Sequence, residues 1–597
     1  MTRHKFQAFH VFLLAGIIAL AVVFRTIGIR WDGGAHLHPD ERFLTMVATN
    51  ITWPKNIIEY FDTRRSPMNP HNKDFSFYVY GTYPTHLTKA AALAIGKQTY
   101  DETPIVGRII SVVLDTATVI VVFLIAIHLS RSIWAGLIAA FCYSIYVLPI
   151  QLSHFFTVDP YVTLFATLAV YRALRGKTDF LTGIFAGLAV SAKISAVLII
   201  PIIVLSLIIT HINKKDGSKN NNFILFFWRL GTFILGLMAT VRIAYPYLFD
   251  GWALNKKVLD NWEQLASFND PSTSFPPGIQ WINASGFQVP SDLVIWGLGI
   301  PLGIIGVASF GYYLYRAVTQ KHARILFVPV AYILLFIVHQ SFQFSKPMRY
   351  LWPIYPMIAV LSGMLLTRLF SHIVIHFHAR LKLATTVIWA ICMILLAWPV
   401  SFLSVYTNQN SRVVANTWIY THIKQQSVIA WEHWDDPMPF PMNELSPSNY
   451  QQIQLPSFDP DDHEKPRKIS TVLAKSDYLI LSSNRAYGAI NRADKRFPFM
   501  NNFYRKLFSG KLGYTVAAQF VSRPTLPFPA PLCIRIPGFY YGYLSRTVES
   551  CERRGIQIID DYADETFTVY DHPKVIIFQN IRHYSTEELT RLFYERN

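Results

Sequence analysis

The sequence predicts a mainly α, multi-pass bundle of membrane-spanning helices followed by a C-terminal soluble α/β domain. Three observations point there. Of 597 residues, 52% are hydrophobic and 15% are charged, well under the roughly 25% charged residues of a soluble globular chain. Apolar runs of about 18 residues or more recur, each long enough to cross a bilayer as a helix. After Tyr406 the composition turns polar, and short strand-like runs appear beside one helical run.

Taken in order, the first apolar run is AFHVFLLAGIIALAVVF (Ala8 to Phe24), behind a basic start, MTRHK. It lacks a small-x-small cleavage site and further runs follow, so it reads as a retained helix rather than a signal peptide. About eleven spans are expected by the ~20-residue rule. They centre on 8–29, 105–128, 133–150, 155–174, 180–193, 195–211, 223–245, 292–315, 325–340, 349–370 and 383–405. The stretch from Asp179 to Thr210 is too long for one crossing and carries Lys193 near its middle, so it is split there.

The net charge of +17 would suggest nucleic acid on a soluble protein. Here the excess sits in short loops between apolar runs, RALRGK, KKDGSK, RAVTQKHAR and HARLK, which is the positive-inside pattern. Nucleic acid is therefore not an expected partner; membrane lipid is. With the N-terminus in the cytosol and alternating spans, all four basic loops fall inside. The segments 30–104 and 246–291 fall outside, as does everything after Tyr406. The expected organisation is a transmembrane region over 1–405 with those two outer loops, and a non-cytosolic soluble domain over 406–597, in a protein of the inner or plasma membrane.

In the first outer segment, HPDERFLTMVATNI should begin a helix with Pro39 in its first turn. DFSFYVYGTYPTHLTKAAALAIG suits a strip at the membrane interface, where aromatic residues are favoured. In the C-terminal part, NSRVVANTWIYTHI reads as a helix, and SVIAW, SDYLILSS, YTVAAQF and ETFTVYDHPKVIIFQN read as strands. Residues 436–468 should form an extended loop. Cys142 and Cys392 lie in apolar runs; Cys533 and Cys551 lie in the polar part and are free to pair if it sits in an oxidising compartment.

The stretch AHLHPDERF (Ala35 to Phe43) places two adjacent carboxylates, Asp40 and Glu41, beside two histidines. Both acids in a first helical turn suit the positive end of the helix dipole. His36, His38 and Asp40 also alternate as metal ligands can. A further acid, Asp159 in QLSHFFTVDPYV, lies at the outer start of the fourth span. A carboxylate there is costly to bury and so a functional candidate, able with Asp40 to share a divalent metal or to position a hydroxyl. Three cations fall on the same side: Lys193, Lys346 and Arg349. Each suits snorkelling to headgroups, but together they run against the positive-inside bias and suit a bound phosphate.

Several segments in order resemble the GT-C superfamily of polytopic membrane glycosyltransferases, in particular bacterial relatives of the dolichyl-phosphate-mannose protein mannosyltransferases and the lipid A aminoarabinose transferase. They are HPDERF, NPHNKDFSFYVYGTYPTHLTKAA, VGRIISVVLDTATV, SHFFTVDPYVTLFATLAVYRAL, GIFAGLAVSAKISA, WGLGIPLG and KPMRYLWPIYP. The resemblance implies a hexosyl- or pentosyltransferase that takes sugar from a polyprenyl-phosphate carrier to an acceptor glycan, lipid or protein, with inversion, on the non-cytosolic face. It implies that Asp40 or its neighbour Glu41 is the catalytic acid residue and Asp159 the second, near acceptor or metal. Lys193 and Arg349 match positions suited to the carrier phosphate, and Lys346 and His38 are further candidate substrate contacts on the residues alone.

Two other classes remain. A transporter or lipid-linked-sugar flippase would also carry many spans, and Asp115 in SVVLDTATV is a mid-span charge that fits either a buried polar contact or a transport path. A scaffold would use its soluble part; WEHWDDPMPF (Trp431 to Phe440) reads as a partner surface, a sugar-stacking surface or a packed edge.

Overall fold

The structure, a computed structural model, describes residues 3–212, 219–272, 275–376, 381–442, 444–536, 544, 551 and 554–595. Parts of the expected basic loops, 214–218 and 378–380, lie outside the described residues. The chain is an integral membrane protein: among the described residues seven helices are long and apolar enough to cross a bilayer, including Ala8–Thr26, Thr103–Ser130 and Phe223–Ala244. A bent pair, Ile133–Ser144 and Val147–Ser153, turns by 58° and makes an eighth if counted as one span.

Eleven full-length crossings are therefore not what length and apolarity yield. The remaining expected spans exist as helices: Asp159–Leu174 has 16 residues, Phe180–Ala192 has 13, and Ile300–Thr319 follows a short π-helical turn at Leu293–Gly297. The physical reason is placement. Twelve of the 16 residues of Asp159–Leu174 are buried, so this helix meets protein rather than lipid and is free of the demand for a long, uniformly apolar surface. The break expected at Lys193 is present: the helix ends at Ala192, Lys193 is extended, and Ile194–Leu198 starts the next helical run.

Close helix contact in lipid relies on small residues, since lipid tails are as apolar as leucine. Helices Phe180–Ala192 and Lys219–Ala244 meet in this way. A methyl group added at Gly183 would overlap the carbonyl oxygen of Phe233, and one at Gly236 would overlap that of Phe180. Both obstacles are backbone.

After the long helix Leu381–Thr407 and the helix Ser411–His422, the chain builds a five-stranded mixed sheet. Its strands run in the spatial order Gln451–Leu455, Val428–Glu432, Tyr478–Leu481, Val575–Asn580, Tyr514–Phe520. The first three are parallel and the last two join antiparallel. Two sequence expectations change. The 436–468 loop contains a strand, because Gln451–Leu455 finds a parallel partner in Val428–Glu432. In ETFTVYDHPKVIIFQN only Val575–Asn580 is a strand, since Glu565–Thr568 is a helical turn capped by Asp564. A smaller sheet orders Thr525–Leu526, Gly555–Ile559 and Pro531–Arg535, and Cys533 is disulfide-bonded to Cys551.

The sheet part is seated on the bundle through the segment 560–574. Gln151 donates to the carbonyl of Phe567 at 2.6 Å, and the Tyr406 hydroxyl donates to Asp571 at 2.7 Å. Phe567 packs its ring against Trp296 and Phe402. His572, fully enclosed, stands between Asp571 at 2.5 Å and Asp560 at 3.0 Å. Burial alone would lower its pKa, but the two carboxylates outweigh it and push it up to about 10.

Two outcomes are expected. Gly183→Ala or Gly236→Ala should destabilise the folded chain by about 1–3 kcal/mol, the usual cost of overpacking, read as a lower melting temperature of the purified protein. His572 stabilises the folded form fully below its unfolded pKa of about 6.5, and that contribution is lost as pH rises through about 10. Melting curves between pH 6 and 10.5 should show this decline, and His572→Gln should flatten it while lowering stability at neutral pH.

Candidate active site

The site begins at a helix start. His38 caps Pro39–Asn50, its imidazole accepting from the Glu41 backbone N–H at 3.3 Å, and Pro39 occupies the first turn as the sequence suggests. The next two residues then diverge by about 100° around the helix. Glu41 points inward and is fully buried. Arg108, from the start of helix Thr103–Ser130, donates to both of its oxygens, at 2.9 Å from Nε, and the Phe156 backbone N–H donates at 2.8 Å. The same guanidinium grips Asp32 at 2.9 and 3.1 Å and the Ile29 carbonyl at 2.7 Å.

Asp40 points the other way and accepts from Arg349. About a quarter of its side chain is exposed, against none of Glu41's. Burial would raise the Asp40 carboxyl, but chiefly the Arg349 charge and its hydrogen bond outweigh it and hold it at about 2. His38 itself is lowered to about 4, chiefly by burial, and is therefore neutral at physiological pH.

The second acid lies alongside. Asp159 opens helix Asp159–Leu174 and accepts from the Lys193 ammonium at 2.9 Å. Tyr350 joins the two pairs: the Lys193 ammonium lies 4.2 Å from its ring centre and the Arg349 guanidinium 5.7 Å. Tyr80 completes the group, its phenol pushed up by burial and by the charges of Asp40 and Asp159. A last residue comes from the C-terminal part. Tyr570 lays its ring 4.2 Å from that of His38, and burial, with the Asp40 charge, raises its phenol against the pull of Arg349.

Asp40, Asp159, Lys193 and Arg349 thus come together, and His38 borders them. Other sequence candidates do not join. Glu41 is corrected from a catalytic to a structural residue, because its oxygens are consumed by Arg108 and a backbone N–H away from the surface. Lys346 is corrected as a substrate contact: its ammonium binds the carbonyls of Gln343 and Phe344 in its own turn. The His36, His38 and Asp40 metal reading also fails, since His36 turns to Asp101 at 3.0 Å while His38 caps its helix. Among the described residues no group of three or more His, Cys, Asp or Glu could hold a metal. Asp40 and Asp159 are each paired with a cation, and these two carboxylates would hold a divalent ion only together with further oxygens such as those of a substrate phosphate.

Asp115 is fully buried and bound by Arg25 at 2.5 Å, by the Tyr143 hydroxyl and by Ser153 at 3.2 Å. A neutralised, fully packed acid is a buried polar contact rather than a step on a transport path. In WEHWDDPMPF, Glu432 is buried against Tyr504, and Asp436 binds Arg42 of the Pro39–Asn50 helix at 3.2 Å and Arg412 at 2.9 Å. The packed-edge reading describes these residues. Sequence reasoning missed Tyr350, Tyr80, Tyr570 and Arg108. Arg108 stood in a quoted segment, where an arginine near a span start was the available signal; Tyr570 had none.

Residues 56–248, about a third of the chain, match the model of the dolichyl-phosphate-mannose-protein mannosyltransferase family. No curated protein sequence matches the chain. Among solved structures, it is similar to the oligosaccharyltransferase of Archaeoglobus fulgidus in its apo form, with 12% identity and a TM-score of 0.50 over 83% of this chain and 72% of that one. It is also similar to apo ArnT of Cupriavidus metallidurans, with 12% identity and a TM-score of 0.41 over 80% and 93%. The resemblance to GT-C membrane glycosyltransferases therefore holds for the fold.

Glu41→Gln should cost about 3–5 kcal/mol, because it leaves a buried guanidinium short of a partner. Asp40→Asn, at a partly exposed site, should leave melting nearly unchanged. Thermal unfolding of the two variants side by side checks the distinction.

Proposed function

We propose that the chain is a glycosyltransferase that moves a sugar from a polyprenyl-phosphate carrier to an acceptor hydroxyl on the non-cytosolic face, with inversion. One observation carries this reading: two carboxylate–cation pairs, Asp40–Arg349 and Asp159–Lys193, gathered around Tyr350. Transfer from a phosphate-linked sugar needs a base for the acceptor and cations for the departing phosphate, and this group contains both. The match of 56–248 to a family named for dolichyl-phosphate-mannose supports the donor class. The Cys533–Cys551 disulfide suits an oxidising compartment, which agrees with a cytosolic N-terminus and an external C-terminal part.

In this reading Arg349 neutralises Asp40 at rest. The carrier's phosphodiester competes for that guanidinium, which presents a fork matched to phosphate oxygens. As Arg349 turns to the phosphate, Asp40 loses the main charge that keeps its carboxyl near 2 and becomes a stronger base. The acceptor O–H gives its proton to Asp40 while its oxygen bonds to the anomeric carbon. The bond from that carbon to the phosphate oxygen breaks, and its electron pair stays on the phosphate, where Arg349 and Lys193 meet the second charge. A single displacement inverts the anomeric centre. Asp159 holds Lys193 in place, and Tyr350 spaces the two cations.

Asp40→Asn should lower transfer from a lipid-linked sugar by about 10²–10⁴-fold, the size of a general-base contribution, in protein that inserts and melts normally. Turnover assays over a panel of radiolabelled polyprenyl-phosphate sugars read this out. Wild-type turnover in the variant would remove Asp40 as the base.

A further inference from the structure

At the other end of the bundle lies a cavity of about 340 Å³, within the size range of small-ligand sites. Helix Thr103–Ser130 measures its distance from the site. Arg108 near its start grips Glu41, and Ser130, 22 residues on and so about 33 Å away, lines the cavity. Two arginines line it as well, Arg316 and Arg368. No acidic residue is among the lining residues, and neither arginine forms an ion pair among the described residues; Arg316 donates to Gln320 at 2.8 Å and Arg368 to Tyr312 at 2.5 Å. Tyr313, fully buried, also lines the cavity, and its hydroxyl has no hydrogen-bond partner among the described residues. The rest of the wall includes apolar side chains such as Leu129 and Met364.

The contrast with the other end is chemical. Around Tyr350 each cation already has a carboxylate, whereas here two half-buried guanidinium groups share a recess without one. Partly desolvated arginines with no counter-charge call for an anion, and their planar forks fit phosphate. Apolar walls beside them suit acyl chains rather than a free ion. We infer that this cavity binds the phosphate of an anionic phospholipid headgroup. The inference is independent of the sugar-transfer reading, because it uses none of that site's residues.

The test is native mass spectrometry of the full chain released from detergent, titrated with phosphatidylglycerol, phosphatidylcholine or inorganic phosphate. Wild-type protein is expected to retain phosphatidylglycerol over phosphatidylcholine. Arg316→Gln and Arg368→Gln should each weaken that retention about tenfold, the size of one charge-assisted contact, with sugar transfer measured as a separate readout. If a glutamine variant fails to insert, Arg316→Lys and Arg368→Lys keep the charge but lose the fork and should show a partial loss. Equal retention of both lipids, or unchanged retention in the variants, overturns the inference. Displacement of the lipid by millimolar inorganic phosphate overturns the lipid assignment in favour of a free phosphate ion.

Discussion

The arrangement depends on one buried guanidinium. Arg108 sits where the helix Thr103–Ser130 emerges, and it binds Asp32, Glu41 and the Ile29 carbonyl at once. A buried ion cluster is not a source of net stability, since desolvation offsets much of its attraction. What it supplies here is direction. The end of the first helical region, the start of Pro39–Asn50 and the Phe156 backbone are all drawn to one point. Glu41 is locked inward, and the helical turn leaves Asp40 facing Arg349. The reacting carboxylate in the proposed mechanism is placed by its neighbour's salt bridge.

A second set of buried polar contacts ties the sheet part to the bundle. The segment 560–574 meets the bundle through Gln151, which donates to the Phe567 carbonyl, and Tyr406, which donates to Asp571; Asn410 and Arg412 donate to the carbonyls of Asp571 and Val569. Tyr570 rides on this segment and reaches His38. Asp436 adds a link from the sheet part to Arg42, on the same helix as Asp40. The C-terminal part is thus one wall of the candidate site. Its contacts reach His38, next to the helix start that carries Asp40, and Arg42 on the same helix.

Charge is treated differently at the two ends. On the side of the candidate site, Arg349 and Lys193 are matched by carboxylates. In the proposed mechanism the Asp40–Arg349 pair opens to a phosphate. At the opposite end, Arg316 and Arg368 have no such match among the described residues, and the inferred partner there is a headgroup phosphate.

The sequence by itself determined the apolar runs, the break at Lys193, the helix begun by Pro39 and most strands of the C-terminal sheet. These follow from local composition and periodicity, which the residues carry with them. It also led to the expectation that Asp40, Asp159, Lys193 and Arg349 share one face, and the structure gathers these four residues around Tyr350. It could not separate Asp40 from Glu41. That choice belongs to Arg108, 67 residues beyond Glu41, and to the backbone N–H of Phe156. Nor did it foresee Tyr570, or that Asp159–Leu174 is enclosed by protein and so needs no full-length apolar surface. Pairing between distant residues and enclosure by neighbours are properties of the packed chain, and only the tertiary structure decided them.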